Sequence, residues 1–315
     1  MKRFISNTFI FTILVVVTIN ILLFLAGRHN QFIGGIKLKH ELLADAQSPK
    51  IIIVGGSGAG FSIDSKMIAK KIGVKTINMG LFAQFGLHYL LEDIMVDIGK
   101  NDIVVLTPEY HQFYYFFNGW RGFNELLYVY PQALFKLRSK EQFKILLSSF
   151  PRFWIGKLNS IDLSIFKPVQ KNTLYNSHGD YIAHLKDTTK HDIESLGLFH
   201  NFIDTSKMKL YNGSMDILND YSRRIKEKGA FLIFSYPTIP DKQYHRNIQN
   251  IIEVNNLVTS KADFEIINTP NSEVQPINDF YNTVYHLNNN GRKKRTLRLI
   301  EDIQESTAYN KVYMQ

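Results

Sequence analysis

The sequence predicts an α/β protein with a doubly wound parallel sheet, preceded by an apolar helix and interrupted by an aromatic-rich insertion. Short, continuously apolar segments at 50–54, 102–107 and 230–236 have the pattern of strands that are buried on both faces. Helical patterns lie between the predicted strands. Strands that alternate with helices form parallel sheets with helices packed on both sides.

The remaining elements follow the same alternation. Helical patterns predict helices at 38–46, 65–72, 87–98, 214–228, 243–262 and 289–305. Two shorter segments predict further strands at 75–78 and 264–267.

The stretch 110–209 breaks this alternation and is predicted to be an insertion that is partly helical. Its first part, 113–123, is dense in aromatic residues. Two interpretations stay open for these side chains. They line a sugar- or lipid-binding groove, or they pack a small core of the insertion itself, which is the simpler interpretation.

The N-terminus predicts a membrane anchor. Residues 8–26 form an uncharged, almost wholly apolar run that is preceded by Lys2 and Arg3. About 20 apolar residues are enough to cross a bilayer. The residues ahead of Gly27 make a poor cleavage site, which favours an uncleaved helix over a signal peptide.

The predicted organisation is an anchor at 1–27, a linker at 28–47 and an α/β domain at 48–310. Lys2 and Arg3 favour a cytoplasmic N-terminus, although basic residues just beyond the span weaken this bias. We therefore expect a single-pass membrane protein whose main domain is extracytoplasmic.

Composition narrows the classes of function. The chain has 315 residues, a net charge of +9 and no cysteine, which excludes disulfides and thiolate metal sites. The positive charge favours anionic surfaces such as lipid headgroups or acidic glycans. Nucleic acid is not an expected partner, because the basic residues are scattered and the compact cluster at 292–295 fits a solvated helix face. No metal and no cofactor is predicted.

The glycine-rich segment 55–60 follows a buried strand and precedes a helix. A dinucleotide loop fails because Phe61 stands where the last glycine is needed, and a P-loop fails because its Gly-Lys-Ser/Thr ending is missing. The third interpretation is a nucleophile turn, with Ser57 exposed at the carboxyl end of the first strand. Backbone N–H groups at the helix start would then stabilise an oxyanion. A plain tight turn is the structural alternative, and the local sequence does not decide between them.

Two other residues extend the candidate site. Gly80 follows the second strand, where its N–H could be a second oxyanion donor. His286 lies in the last strand-to-helix loop, which in a doubly wound sheet can return toward the first loop. Five other histidines lack such context, namely His88, His111, His178, His184 and His200.

A family resemblance rests on three motifs. They are the strand-Gly-x-Ser57 turn, Asn78-x-Gly80 after the second strand, and 285–288 (Tyr-His-Leu-Asn) near the end. Together they resemble the SGNH/GDSL hydrolase superfamily, and most of all its membrane-anchored members associated with cell-envelope polysaccharides. The likeness covers about 48–306, apart from the insertion.

The resemblance implies a flavodoxin-like fold with a serine nucleophile. Ser57 would attack and His286 would act as the base. The backbone N–H groups of Gly58 and Gly80 would hold the oxyanion. The N-terminal motif is loose, since Gly56 occupies a place where the family often has aspartate.

Two departures from the family pattern bear on activity. Asn282 stands where an aspartate normally precedes the histidine, and an amide cannot stabilise an imidazolium as a carboxylate does. Two interpretations stay open: Asp279 substitutes from one turn earlier, or a Ser–His dyad suffices. The family's asparagine after the third strand is replaced by Glu109, which together with Tyr110 is a candidate for contact with substrate, unless Glu109 simply forms a salt bridge.

Two functional hypotheses follow. The first is a serine acyl hydrolase or O-acyltransferase, usually for acetyl groups, that acts on an extracytoplasmic polysaccharide. The second is a catalytically impaired relative that binds glycan or assists a multi-spanning membrane O-acyltransferase. The first hypothesis requires an activated Ser57, and the second does not.

Overall fold

The computed structural model describes residues 1–26, 31–158, 174–187, 189, 191–196 and 209–314. Its α-helices are α1 (Lys2–Ala26), α2 (Gln31–Ala44), α3 (Ser57–Ser62), α4 (Ser65–Ile72), α5 (Gly86–Ile94), α6 (Phe123–Val129), α7 (Lys140–Leu158), α8 (Ser214–Glu227), α9 (Asp241–Arg246), α10 (Ile248–Lys261), α11 (Asn289–Glu305) and α12 (Thr307–Tyr313).

The strands are β1 (Ile51–Gly55), β2 (Thr76–Asn78), β3 (Ile103–Thr107), β4 (Phe231–Phe234), β5 (Ile239–Pro240), β6 (Glu265–Ile266) and β7 (Val274–Gln275). Five of them form one sheet in the order β2-β1-β3-β4-β6, and every neighbouring pair is parallel. Strands β5 and β7 pair separately, also in parallel. The predicted α/β class with a parallel sheet is therefore confirmed.

Helices cover both faces of this sheet. Ile52, Val104 and Leu232 belong to the larger core cluster, to which α2, α5, α8 and α10 contribute. Their sequence neighbours Ile53 and Val105 belong to a smaller cluster with α4, α11 and α12. Successive strand residues thus face opposite cores, which is why the strands read as continuously apolar.

The helix α2 lies inside the predicted linker and packs on the α/β domain. Ile36 and Leu43 on this helix are buried in the larger core cluster. Lys39 is buried too, and its Nζ donates to the backbone oxygens of Asn78 (2.7 Å) and Gly179. Burial lowers the pKa of Lys39 to about 7, against the opposing attraction of Asp180. The chain that follows the anchor is therefore part of the folded domain.

The aromatic residues at the start of the insertion belong to the main core. Phe113, Phe117 and Phe123 are buried and join the larger cluster. Core packing is their role, and the core they join is that of the whole domain. The parts of the predicted insertion at 159–173, 188, 190 and 197–208 lie outside the described residues, as do residue 27 of the predicted anchor and residues 28–30 of the predicted linker.

The predicted helix 243–262 is interrupted. It divides into α9 and α10 at Asn247, whose side-chain amide donates to the backbone oxygen of Gln243 (2.8 Å). Side-chain bonds of this kind to the backbone compete with helix continuation. The short helix α3 after β1 was not predicted as a separate element.

The helix α1 is 25 residues long and is apolar enough to cross a membrane. Its described side chains, at 1–19, are exposed. This agrees with the predicted single-pass anchor, and the orientation across the membrane stays a prediction.

A buried aspartate joins four separate segments of the domain. Asp180 accepts hydrogen bonds from the Ser65 N–H (3.1 Å), the side-chain amides of Asn78 (3.0 Å) and Asn176 (2.8 Å), and the Arg292 guanidinium (3.1 Å). These donors lie on α4, on β2, in the loop before Asp180, and on α11. The carboxylate is thus fully enclosed by partners from distant parts of the sequence.

Replacing Asp180 by alanine should destabilise the fold strongly, because several buried donors lose their acceptor and the buried Arg292 charge keeps only the more distant Asp64, at 3.5 Å. We expect Asp180→Ala to lower the free energy of unfolding by about 3–5 kcal/mol. Denaturant titration of the full chain in detergent measures this. Glu227→Ala, which breaks an exposed ion pair with Arg223, is the control and should have little effect. A loss as small as the control's would contradict the role of Asp180.

Candidate active site

Ser57 is the first residue of α3 and follows directly on β1. Close packing explains the glycines around it. A Cβ on Gly55 would lie 2.3 Å from the backbone oxygen of Thr107, and one on Gly56 would lie 2.5 Å from Oε1 of Glu109. Both distances are far below van der Waals contact. The glycines therefore let the turn approach β3 and the residues that follow it.

The Ser57 hydroxyl lies next to the carboxyl group of Glu109. Its Oγ donates to Oε1 of Glu109 at 3.2 Å, and the Gly58 N–H donates to the same oxygen at 2.7 Å. Ser57 is half-buried, whereas Glu109 is only 3% exposed. Glu109 thus occupies the position in front of the helix start that the sequence assigned to an oxyanion.

Burial dominates the electrostatics of Glu109. It raises the pKa of this carboxyl to about 7, although the hydrogen bonds from Gly58 and Ser57 favour the ionised form. Nε2 of His111 lies 3.3 Å from Oε2. Tyr285 and Arg295 line the same small cavity beside the carboxyl. An acid in this environment changes its charge near neutral pH.

His286 lies in the loop before α11 and packs against α3, but its polar partner is not Glu109. Its ring stacks on Phe61 with centroids 3.8 Å apart and planes at 6°. Nδ1 lies 2.8 Å from Oδ1 of Asn282. A carbonyl oxygen at this position keeps the proton on Nδ1 and leaves Nε2 as the basic nitrogen. Asn282 therefore orients the imidazole, as the sequence suggested an amide could.

The same surroundings make His286 a weak base. Burial, and to a smaller extent repulsion from His184, lower the pKa of His286 to about 3. A carboxylate at the position of Asn282 would favour the charged imidazolium and act in the opposite direction. An asparagine at this position in place of an aspartate thus has a direct electrostatic consequence.

The two segments that carry Ser57 and His286 do meet. The Ser62 hydroxyl, on α3, donates to the backbone oxygen of Tyr285 at 2.8 Å and accepts the Leu287 N–H at 3.0 Å. These bonds fix the loop before α11 against α3. Within the described residues, however, Ser57 and His286 share no hydrogen bond, since each side chain is engaged elsewhere.

Asp279 does not orient His286, contrary to one expectation. Its carboxylate accepts from the side chains of Asn290 (2.6 Å) and Lys294 (2.7 Å), both on α11. It therefore holds the start of that helix. Of the two candidates, only Asn282 contacts the imidazole.

Two other predicted site residues are engaged in the core. The Gly80 N–H donates to Oδ1 of Asn78 at 2.9 Å, so this donor is already used. Tyr110 is 1% exposed, and its ring stacks on Tyr236 with centroids 6.3 Å apart. Tyr110 is therefore a core residue and does not line a substrate pocket.

The space behind the Ser57 turn is small. A cavity of about 10 Å³ is lined by Gly58, Glu109, Thr238, Tyr285 and Arg295, among others. That volume holds about one water molecule. Among the described residues, no group of three or more histidine, aspartate or glutamate side chains is placed to bind a metal ion.

The sequence did not predict that Ser57 would bond to Glu109 or that His286 would stack on Phe61. Glu109 was expected near substrate, but its bond to Ser57 depends on β1 and β3 being neighbours in the sheet. Phe61 was considered only as a mismatch to a glycine motif. Its spacing of four residues from Ser57 on one helix was the available signal.

Comparison of the chain with protein-family models, with curated proteins and with solved structures finds no match. The site must therefore be interpreted from its own geometry.

Glu109 should make the stability of the fold depend on pH. The unfolded carboxyl loses its proton near its ordinary pKa of 4.5, whereas the folded one keeps it until about pH 7. The folded state therefore binds more protons in this window, and its free energy of unfolding falls as the pH rises through it. The shift corresponds to about 3 kcal/mol.

The difference between wild type and Glu109→Gln isolates this contribution, because all other titrating groups are shared. Denaturant titrations of both full chains in detergent at pH 4.5 and pH 8 should show the glutamine variant gaining stability relative to wild type by about 3 kcal/mol at the higher pH. A difference that stays constant across this range would mean that Glu109 titrates normally.

Proposed function

We propose that this chain is a membrane-anchored serine acyl hydrolase or O-acyltransferase of SGNH-like, flavodoxin-like fold, acting on an extracytoplasmic polysaccharide. One observation carries the proposal. Ser57 follows β1 and its partner Glu109 follows β3, at the point where the strand order reverses. In open α/β sheets of order 2-1-3-4-5, ligands bind at the carboxyl ends of the strands at this point.

The proposed chemistry is acyl transfer through a covalent intermediate. Ser57 Oγ attacks the carbonyl carbon of an ester, its proton passes to Nε2 of His286, and the alcohol leaves with that proton. A water molecule or a sugar hydroxyl then attacks the acyl-serine and releases Ser57. Because the Ser57 hydroxyl rests on Glu109, it must first turn away from the carboxyl toward the imidazole.

Glu109 also controls the oxyanion donor in this scheme. An ionised carboxylate on the Gly58 N–H would repel a developing oxyanion, whereas a protonated carboxyl could donate to it. Enzymes use buried, neutral carboxylic acids as oxyanion donors in this way. Because burial raises the pKa of Glu109 to about 7, both forms are populated near neutral pH.

A second candidate function has specific support. The Gly58 N–H is bound to Glu109, the Gly80 N–H is bound to Asn78, and Asn282 replaces a carboxylate beside His286. These features favour a catalytically impaired protein that binds glycan or assists a multi-spanning membrane O-acyltransferase. The net charge of +9 suits an acidic glycan in either case.

A fluorophosphonate probe distinguishes the two functions, because it labels only an activated serine. We expect the full chain in detergent to be labelled and to hydrolyse p-nitrophenyl acetate. Ser57→Ala should lose both, and Ser148→Ala, which changes an exposed serine on α7, should lose neither. Equal labelling of wild type and Ser57→Ala would reject the serine mechanism, and absence of labelling in folded wild type would favour the binding role.

Asn282→Asp should raise the activity. A carboxylate 2.8 Å from Nδ1 would stabilise the imidazolium that forms during attack, and the reverse change in a serine protease lowers kcat about 10⁴-fold, as the trypsin example shows. We expect kcat to rise at least about tenfold and by less than that ceiling. Asn271→Asp, in an exposed turn, is the control. An unchanged or lower kcat would count against His286 as the base.

A further inference from the structure

We propose that α7 and the turn before it form a second membrane contact, which rests in the headgroup region of an anionic phospholipid bilayer. This surface is defined as the apolar stripe Phe143, Leu147, Phe150, Trp154 and Leu158 on α7, together with Leu134, Phe135 and the flanking basic residues. It does not depend on any chemistry at Ser57.

The apolar stripe faces outward. Phe143, Leu147, Phe150 and Leu158 are 43%, 73%, 45% and 51% exposed. Their spacing, with Trp154 between the last two, places all of them on one side of the helix. Outside α1, most of the exposed large hydrophobic side chains of the described chain lie between 134 and 158. A patch of this kind marks an interaction site.

Contacts with α6 fix this orientation of α7. Lys157 is buried and pairs with Glu125 on α6 at 2.9 Å. The Ser149 hydroxyl, also buried, accepts from the Asn124 amide at 2.6 Å. Rotating the helix to bury the apolar stripe would break these bonds and expose the groups that make them. The side of α7 that faces the domain is therefore occupied by these polar contacts and by the packing of Leu146 and Phe153 on the core, and the stripe is left outward.

Charge selects an anionic bilayer as the occupant. Between 131 and 158 the basic residues are Lys136, Arg138, Lys140, Lys144, Arg152 and Lys157, against the single acidic residue Glu141. In the described part of the chain, Lys140 and Lys144, whose positions on the helix border the stripe, form no ion pair. Basic residues beside an apolar helical face that includes tryptophan are typical of helices that lie in the membrane interface.

The surface is held within reach of the bilayer by packed contacts. Only four residues separate α1 from α2, and a fully extended residue spans at most about 3.6 Å. His40, on α2, stacks on Tyr130 at 4.8 Å and lies 3.1 Å from Asp93, which also pairs with Lys136 at 2.8 Å. Lys136 ends the turn that carries Phe135. The helix α2 and the surface therefore belong to one connected unit, which starts four residues after α1.

Spin labels test this contact in the full chain inserted in nanodiscs. The chain has no cysteine, so Leu147→Cys and the matched control Leu297→Cys, on α11, each give one labelled site. In discs of phosphatidylcholine with phosphatidylglycerol, oxygen should reach the label at 147 more readily than a water-soluble nickel chelate does. The label at 297 should show the reverse.

Removing the basic charge should release the surface. Adding Lys140→Glu and Lys144→Glu to the Leu147→Cys chain, or using phosphatidylcholine alone, should shift the label at 147 toward the nickel chelate. A wild-type label at 147 that is as accessible to nickel as the one at 297 would overturn the proposal. So would a label that neither reagent reaches, because protein would then cover the stripe, and so would a label indifferent to charge and lipid.

Discussion

The buried carboxylate of Asp180 is the contact on which the arrangement of the domain depends most. It draws together α4, β2 and α11, and through the Asn78 amide it reaches α3, because that amide also donates to the backbone oxygen of Ala59 at 3.0 Å. A buried charge is tolerated only where its partners are complete. The insertion therefore serves the α/β domain, since the loop that carries Asp180 returns from it to the strand ends.

The candidate site lies next to these contacts, and its polar groups are hydrogen-bonded within the protein. Each polar group expected to act on a substrate already has a partner within the protein: Ser57 with Glu109, the Gly58 N–H with the same carboxyl, and the imidazole with Asn282. Acyl transfer therefore requires a rearrangement of Ser57 and a neutral Glu109. A glycan-binding role requires neither, and the activation of Ser57 separates the two functions.

The helix α2 connects the site to the membrane anchor. The ring of Phe32, on its first turn, packs on that of Phe61 with centroids 5.6 Å apart, and the imidazole of His286 stacks on Phe61. The other end of α2 contacts the segment that leads to α7. One helix next to the anchor thus positions the candidate site and the apolar stripe together. If both lie near the bilayer, the substrate is met at the membrane surface.

By itself, the sequence determined the α/β class, the parallel sheet and the apolar N-terminal helix. These follow from local features: short apolar runs that alternate with helical patterns, and the length of the apolar run at the N-terminus. It also indicated that the turn after β1 and the loop before α11 meet. Tertiary structure alone decided that Ser57 bonds Glu109 and that Asp279 and Tyr110 serve packing. It also decided that α7 turns its apolar side outward. Those outcomes depend on which strands are neighbours and on which buried polar groups find partners, and both are set by contacts between residues far apart in the chain.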